Sequence, residues 1–469
     1  MTEKNIKKNV SLVRTEKKYP DFPYDEKSGI RIALLDLLEG LGLSRENPFS
    51  TYIKPGQTAL IKPNWVRNRN PLGYNTDSLI THSSLIKYLV DFLALAMDGK
   101  GKIIIADAPL QNCNFDNLKK LTKIEEIISN AKKNRPNLEI LLEDWRVTTM
   151  KNSDLNVRDI QKYRLTDDIA LSEEYEIIDR GKDSFLEEIS KFSDRFRVTK
   201  YKPSLMLSHH SQGKHEYLIT KRVFEADFFI NLPKVKTHIK AGLTCAMKNL
   251  VGINGHKEFL PHHIKGSYFD GGDNYYSSSW IRARYEDLYD YVWENINNFS
   301  VFYRKVLLKT LQLLWYLSKL FGAENISAGS WMGNNTIWRT TLDLNHVAYF
   351  NSDKPRKILN IADGIIAGEG QGPLEPTPKP LGVLVAGENP GLVDAVIAKM
   401  MGYDVNKIPT VYNAVYNKSS KFSGTSLEDL VISFKDGEIR KKINFDEVPE
   451  LDFKKPLFWE GAQLSKINK

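Results

Sequence analysis

Phe228-Phe-Ile-Asn-Leu-Pro-Lys-Val-Lys-Thr-His238 is the stretch on which the fold turns: an apolar run, a proline, then two lysines and a histidine at alternate positions. A run this short, closed by proline, reads as a buried strand rather than a helix. Proline donates nothing to a sheet ladder, so the strand ends near Pro233 and the basic side chains project into a cleft. Lys234, Lys236 and His238 share one face if the chain stays extended, because side chains two residues apart point the same way.

Runs of the same kind recur at Ala59–Pro63, Lys102–Ala106, Leu138–Leu142, Ile358–Ala362 and Gly382–Ala386. Between two of them, Leu85, Ile86, Leu89, Val90 and Leu93 form one face of a helix over Ser83–Met97. After Glu388, Asn389 is placed to cap a helix, Pro390 suits its first position and Gly402 its end. Strands alternating with helices predict an α/β fold with a mostly parallel sheet, whose carboxyl strand ends gather the chemistry. At 469 residues, against about 150 for a typical domain, two lobes are expected. The predicted plan is a flexible tail over 1–28, an α/β lobe with the Lys/His cluster over 29–265, a helical and aromatic insertion over 266–335, and a second α/β lobe over 336–469. Asp436-Gly437 predicts a small antiparallel hairpin in the last of these.

Hydrophobic residues make up 41% of the chain and charged residues 26%, the composition of an ordered globular protein. The net charge of +8 is spread among interleaved acids and bases, so no nucleic-acid partner is expected. Two cysteines, Cys113 and Cys245, cannot furnish a four-cysteine site, so no iron–sulfur cluster is expected and a reducing, cytoplasmic setting is. The lysine-rich segment Met1–Lys18 lacks the apolar core of an export signal. Arg304, Lys305, Lys309 and Lys319 interrupt the most apolar helical stretch, Ser300–Phe321, and bar it from spanning a bilayer. That helix is expected to pack against the protein, to dimerise, or to lie peripherally on the inner face of a membrane.

The candidate chemistry centres on the Lys/His cluster. Lys236 and His238, with Asp107 and Glu369, are the candidate catalytic groups. Lys62, Asn64, Lys234, Lys248 and Asn249 are candidates for holding an anion, together with the backbone of Gly370 and Gly372 in the glycine-rich loop Gly368–Pro373. The glycines of Gly242–Gly252 permit close backbone approach to a ligand. His256, Lys257, His262 and His263 extend the basic cluster, whereas His209, His210 and His215 read singly as solvated surface. Asp107, Asp363, His262 and His263 are candidate ligands for a divalent metal; Asp343 is a further carboxylate at an expected strand end, and Asp394 compensates a helix dipole.

The phrases Lys62-Pro-Asn64, Ala106-Asp-Ala-Pro109, Asn231–His238, Met247–Gly252, Asp363-Gly364, Gly368–Pro373 and Ala386–Pro390, continuing to Asp394 and Gly402, together resemble the bacterial and archaeal domain of unknown function family 362. Many members carry a ferredoxin-like module, which implies redox chemistry in those proteins; its four-cysteine runs are not in this sequence. Three functions follow as expectations. The first is an enzyme performing acid–base or metal-assisted chemistry on a small phosphorylated or carboxylated substrate, as an isomerase, lyase or transferase. The others are a non-catalytic ligand-binding or accessory protein, and a redox protein served by an external ferredoxin.

Overall fold

The computed structural model describes residues 6–133, 135–149, 171–198, 202–295, 298–326, 328–351 and 357–462. Its principal sheet is built from β1 (Val10–Arg14), β2 (Thr58–Pro63), β3 (Gly101–Asp107), β4 (Leu138–Asp144), β5 (Phe228–Leu232), β6 (Lys234–His238), β7 (Gly242–Thr244), β8 (Lys357–Gln371), β9 (Glu375–Gly387), β10 (Val431–Asp436) and β11 (Ile439–Asn444). The order is β11-β10-β1-β9-β8-β5-β2-β3-β4, with β6 pairing β8 and β7 off this path. The run β8-β5-β2-β3-β4 is parallel; β9 pairs antiparallel with both β8 and β1. This is an α/β fold, and the two segments expected to form lobes contribute strands to one sheet.

The apolar run at β5 has a direct cause. Phe228, Ile230 and Leu232 enter one core with helices Gly29–Gly40 and Ser83–Ala96. Phe229 faces the other way, into a core with Leu344, Val347 and Ala348 of helix Ile337–Phe350. A strand covered on both faces has no solvent side to mark with polar residues.

The expected tail over 1–28 is corrected by β1, which lies between β9 and β10 with Val10, Leu12 and Val13 buried. Its alternation is short and surrounded by lysines, so only tertiary pairing reveals it. The C-terminal hairpin forms as β10 and β11, but joins the sheet through β1. The expected loop Gly368–Pro373 is mostly the end of β8, and the proline-rich segment after it is β9. Prolines at 376, 378 and 380 remove N–H groups along one edge only, and Thr377 and Lys379 between them lie opposite Glu369 and Ala367 of β8.

Other polar residues are also relocated. His210 and His215 are fully buried; His210 Nε2 is 3.0 Å from the Phe259 carbonyl and His215 Nε2 is 3.1 Å from Glu187. Asp343 sits in a helix rather than at a strand end, and accepts from Tyr217 at 2.8 Å and from the Phe185 N–H at 3.0 Å. The insertion supplies helices Trp280–Asn295 and Val301–Leu320, joined through Val292, Leu307, Leu308 and Leu311. Among the described residues no helix is long and apolar enough to cross a membrane.

Leu12 is completely buried in β1. Leu12→Ala is therefore expected to lower the unfolding free energy by about 2–5 kcal/mol in urea titration. A loss below about 1 kcal/mol would mean that β1 does not hold the sheet together.

Candidate functional site

Lys62 is the penultimate residue of β2 and Asp107 the last of β3, two neighbours in a parallel pair, so their side chains meet at the carboxyl edge of the sheet. The ammonium and carboxylate are 2.6 Å apart and buried. Asp107 also accepts the N–H groups of Trp65 at 2.7 Å and Ala108 at 2.9 Å, which fixes the turn after each strand. Burial pushes the Lys62 ammonium below its usual range while Asp107 pulls the other way. Gly252 lies against the pair, and a Cβ there would stand 2.3 Å from Asp107 Oδ1 and 2.7 Å from Lys62 Nζ. The glycine expected to admit a ligand thus makes room for this ion pair.

Above the pair opens a cavity of about 450 Å³. Of the residues expected at the site, Lys62, Asn64, Asp107, Lys236, His238, Lys248, Asn249 and His262 line it. Lys240 and Lys257 line it too, along with Asn112 and Thr244. Lys240 was legible in retrospect, since it continues the alternate spacing of Lys234, Lys236 and His238. The insertion reaches the rim through Ala328 and Ser330.

A buried amide network joins the cavity floor to the sheet. Asn249 Oδ1 accepts from Asn64 at 2.9 Å and from Lys62 at 3.3 Å, and its Nδ2 donates to Asn231 at 2.8 Å. Asn231 in turn donates to Asn360 of β8 at 2.8 Å. Lys248 and Asn249 ride on the short helix Ala246–Asn249. Asp394, expected only to balance a dipole, caps that helix by accepting the N–H groups of Ala246 at 2.6 Å and Met247 at 3.0 Å. It is a positioning residue for Lys248, and burial raises its carboxyl to about 7.

Lys248 forms no hydrogen bond or ion pair among the described residues, although it is 9% exposed. Burial first, then Lys257 and Lys240, push its ammonium down to about 7. Burial likewise brings Lys240 and Lys257 to about 8, with Lys257 donating to the Ala108 carbonyl at 3.1 Å. Lys236 donates to the Leu79 carbonyl. His238 and His262 are both held well below the usual histidine range, by burial and then by Lys248 and Lys240. The two neutral rings play opposite parts. Nδ1 of His238 accepts from the Lys240 N–H at 3.0 Å, which leaves Nε2 as the N–H donor. Nδ1 of His262 lies 2.6 Å from the Leu260 carbonyl and donates to it, which leaves Nε2 as an acceptor. Three further lining groups, Asn64 Oδ1, Asn112 Nδ2 and Thr244 Oγ1, are buried without a hydrogen-bond partner among the described residues. Buried polar atoms are ordinarily satisfied, so these are handles for a polar ligand.

The remaining expected site residues lie elsewhere. Lys234 and Asp363 form a fully buried pair at 2.7 Å, clasped by the Tyr19 hydroxyl at 2.6 Å from each. Glu369 accepts the Lys454 N–H at 2.9 Å and faces Lys379 at 3.5 Å. The N–H groups of Gly370 and Gly372 are spent on the carbonyls of Lys454 and Gly370, so they do not grip an anion. The glycines answer packing instead: a Cβ at Gly372 would lie 2.0 Å from the Thr237 carbonyl oxygen. His263 pairs with Arg197 in a two-stranded ribbon. The four expected metal ligands are therefore not assembled, and among the described residues no group of three or more His, Cys, Asp or Glu gathers to hold an ion.

Two outcomes follow. Lys62→Met leaves Asp107 buried without its cation and is expected to cost about 3–5 kcal/mol in denaturant titration, whereas Lys62→Met combined with Asp107→Leu costs less than the sum of the single changes. Between about 7, where Lys248 titrates, and the usual lysine range, the unfolded chain binds protons that the folded chain does not. Ligand-free stability is thus expected to rise with pH across that window, and a flat or falling profile in urea midpoints would count against the buried lysines.

Residues 189–399 match the family model described as Domain of unknown function (DUF362). No curated protein matches. A crystal structure of a Thermotoga maritima protein, a Northeast Structural Genomics Consortium target, is similar with 10% identity and a TM-score of 0.33 over 78% of this chain. The chain spans 56% of the length of that protein. The segment matched by the family model carries β5 to β9 and every lysine of the cavity except Lys62. Through that segment, the chain is similar to the DUF362 family.

Proposed function

We propose that the protein is an enzyme that draws a small phosphorylated or carboxylated substrate into this cavity and moves a proton on it. Lys248 carries the reading. It is a buried amine with no partner of its own among the described residues, beside Lys240 and Lys257, in a hollow whose one lining carboxylate, Asp107, already holds Lys62. Opposite charge focused into a low-dielectric cleft favours an anion. In this reading the anion rests among Lys240, Lys248 and Lys257, and Asn64, Asn112 and Thr244 set its orientation.

His238 was the expected proton carrier, and the proposal divides the labour differently. Its neighbouring cations hold it neutral, so it serves as an Nε2–H donor to developing negative charge. Lys248, at about 7, is the group matched to acid–base work near neutrality. Isomerisation or elimination beside a carboxylate or phosphate fits one such amine flanked by fixed donors. The expected metal set is not gathered, and both Asp107 oxygens accept hydrogen bonds, so the chemistry is assigned to lysine. The two cysteines are free, which suits a reducing, cytoplasmic setting.

Anion binding needs the ammonium form, which for Lys248 is present below about 7 and for Lys240 and Lys257 is lost as pH rises through about 8. Inorganic phosphate and pyrophosphate are expected to raise the melting temperature in acid and near neutrality, and much less above about 8. Lys248→Met should abolish most of that shift and His238→Ala should keep it. In a turnover screen of phosphorylated and carboxylated metabolites, loss of activity in His238→Ala with anion binding retained supports catalysis. Binding without turnover of any of them supports a carrier, and no stabilisation by either anion at any pH refutes the site.

A further inference from the structure

We propose that helix Val301–Leu320 docks on an anionic phospholipid surface. At 20 residues it is about 30 Å long, and Ser300 caps it by accepting the Tyr303 N–H. Its inner face is spent on Leu307, Leu308 and Leu311, which meet the helix before it. Among the described residues, the other face has no cover. Phe302 is 77% exposed, Leu313 55%, Tyr316 61% and Leu320 63%. Together with Val306 they recur at spacings of three, four and seven, which places them in one stripe.

Lys305 and Lys309 stand beside this stripe and Lys319 on the helix flank over the Trp315 ring, all three exposed and without an ion pair among the described residues. The whole span Val301–Leu320 contains no Asp or Glu. Apolar and aromatic side chains interleaved with uncompensated lysines fit a lipid interface, where rings and aliphatic chains enter the acyl boundary and ammonium groups snorkel to the phosphates. A second copy of the chain fits poorly, because apposing the two faces would set three lysines against three. The segment following the helix contributes Ala328 and Ser330 to the lining of the cavity. The inference stands on the helix alone and does not require the cavity to be catalytic.

Sedimentation of the full chain with vesicles tests it. The chain is expected to pellet with phosphatidylcholine vesicles carrying phosphatidylserine, to remain in solution with phosphatidylcholine alone, and to be released by high salt. Lys305→Gln/Lys309→Gln/Lys319→Gln should weaken binding by about a hundredfold, at about 1 kcal/mol per basic residue near the surface. Phe302→Ser/Leu313→Ser should also release the chain; these positions are exposed, and an unchanged melting temperature verifies the fold. Failure to pellet with anionic vesicles at low salt overturns the proposal, as does pelleting that both variants retain. A solution dimer that Phe302→Ser/Leu313→Ser converts to monomer, without vesicle binding, overturns it in favour of self-association.

Discussion

A buried ion pair at the mouth of a parallel sheet organises this molecule. Lys62 and Asp107 leave adjacent strands, and their attraction brings together two chain turns that would otherwise be free to diverge. Removing either charge from the pair strands the other in a poorly hydrated interior, so the pair constrains the structure more by the penalty for its absence than by any net gain from its formation. Around it the chain accepts further restrictions. Residue 252 has no side chain, Asn249 satisfies the remaining Lys62 donor, and the amide chain through Asn231 and Asn360 carries polarity across the sheet without an unmatched charge.

The lysines above the pair raise the opposite problem, because among the described residues the one carboxylate that lines their cavity, Asp107, already holds Lys62. Burial, joined at Lys248 and Lys257 by repulsion from neighbouring cations, lowers their proton affinity until Lys248 titrates at about 7 and Lys240 and Lys257 at about 8. The folded chain tolerates this because Asp394 and the sheet edge hold the backbone that presents them. Positioning comes from a carboxylate on a helix almost 150 residues later in the sequence, and that carboxylate never touches the cavity.

Much of this was legible in the sequence where one local force dominates. Phe228–Leu232 reads as a strand because both faces are covered, and Asn389-Pro390 marks a helix start because capping is a nearest-neighbour effect. Lys62, Asp107, Lys236 and His238 were identifiable because strand ends in a parallel sheet converge. Long-range geometry was not legible. Asp363 and Lys234 resemble site residues in sequence, yet Tyr19, from a segment read as a tail, closes over them. The glycines of Gly368–Pro373 resemble a ligand loop, but they are small because Lys236 and Thr237 pass close by. Proline normally argues against a strand, and its placement at every second residue of β9 can be recognised only once the paired edge is known.

The position of β1 bears on how the molecule is made. Its neighbours in the sheet are β9 and β10, so residues near 12 wait for partners near 385 and 434. Contacts of such long sequence separation close late, since loop entropy must be overcome before they repay it. During synthesis the parallel core from β2 to β5 can assemble first, with the early strand unable to pair until most of the chain has emerged. Native protein therefore forms only near the end of translation, and the edge of β5 that β8 later covers is where premature association between nascent chains would begin.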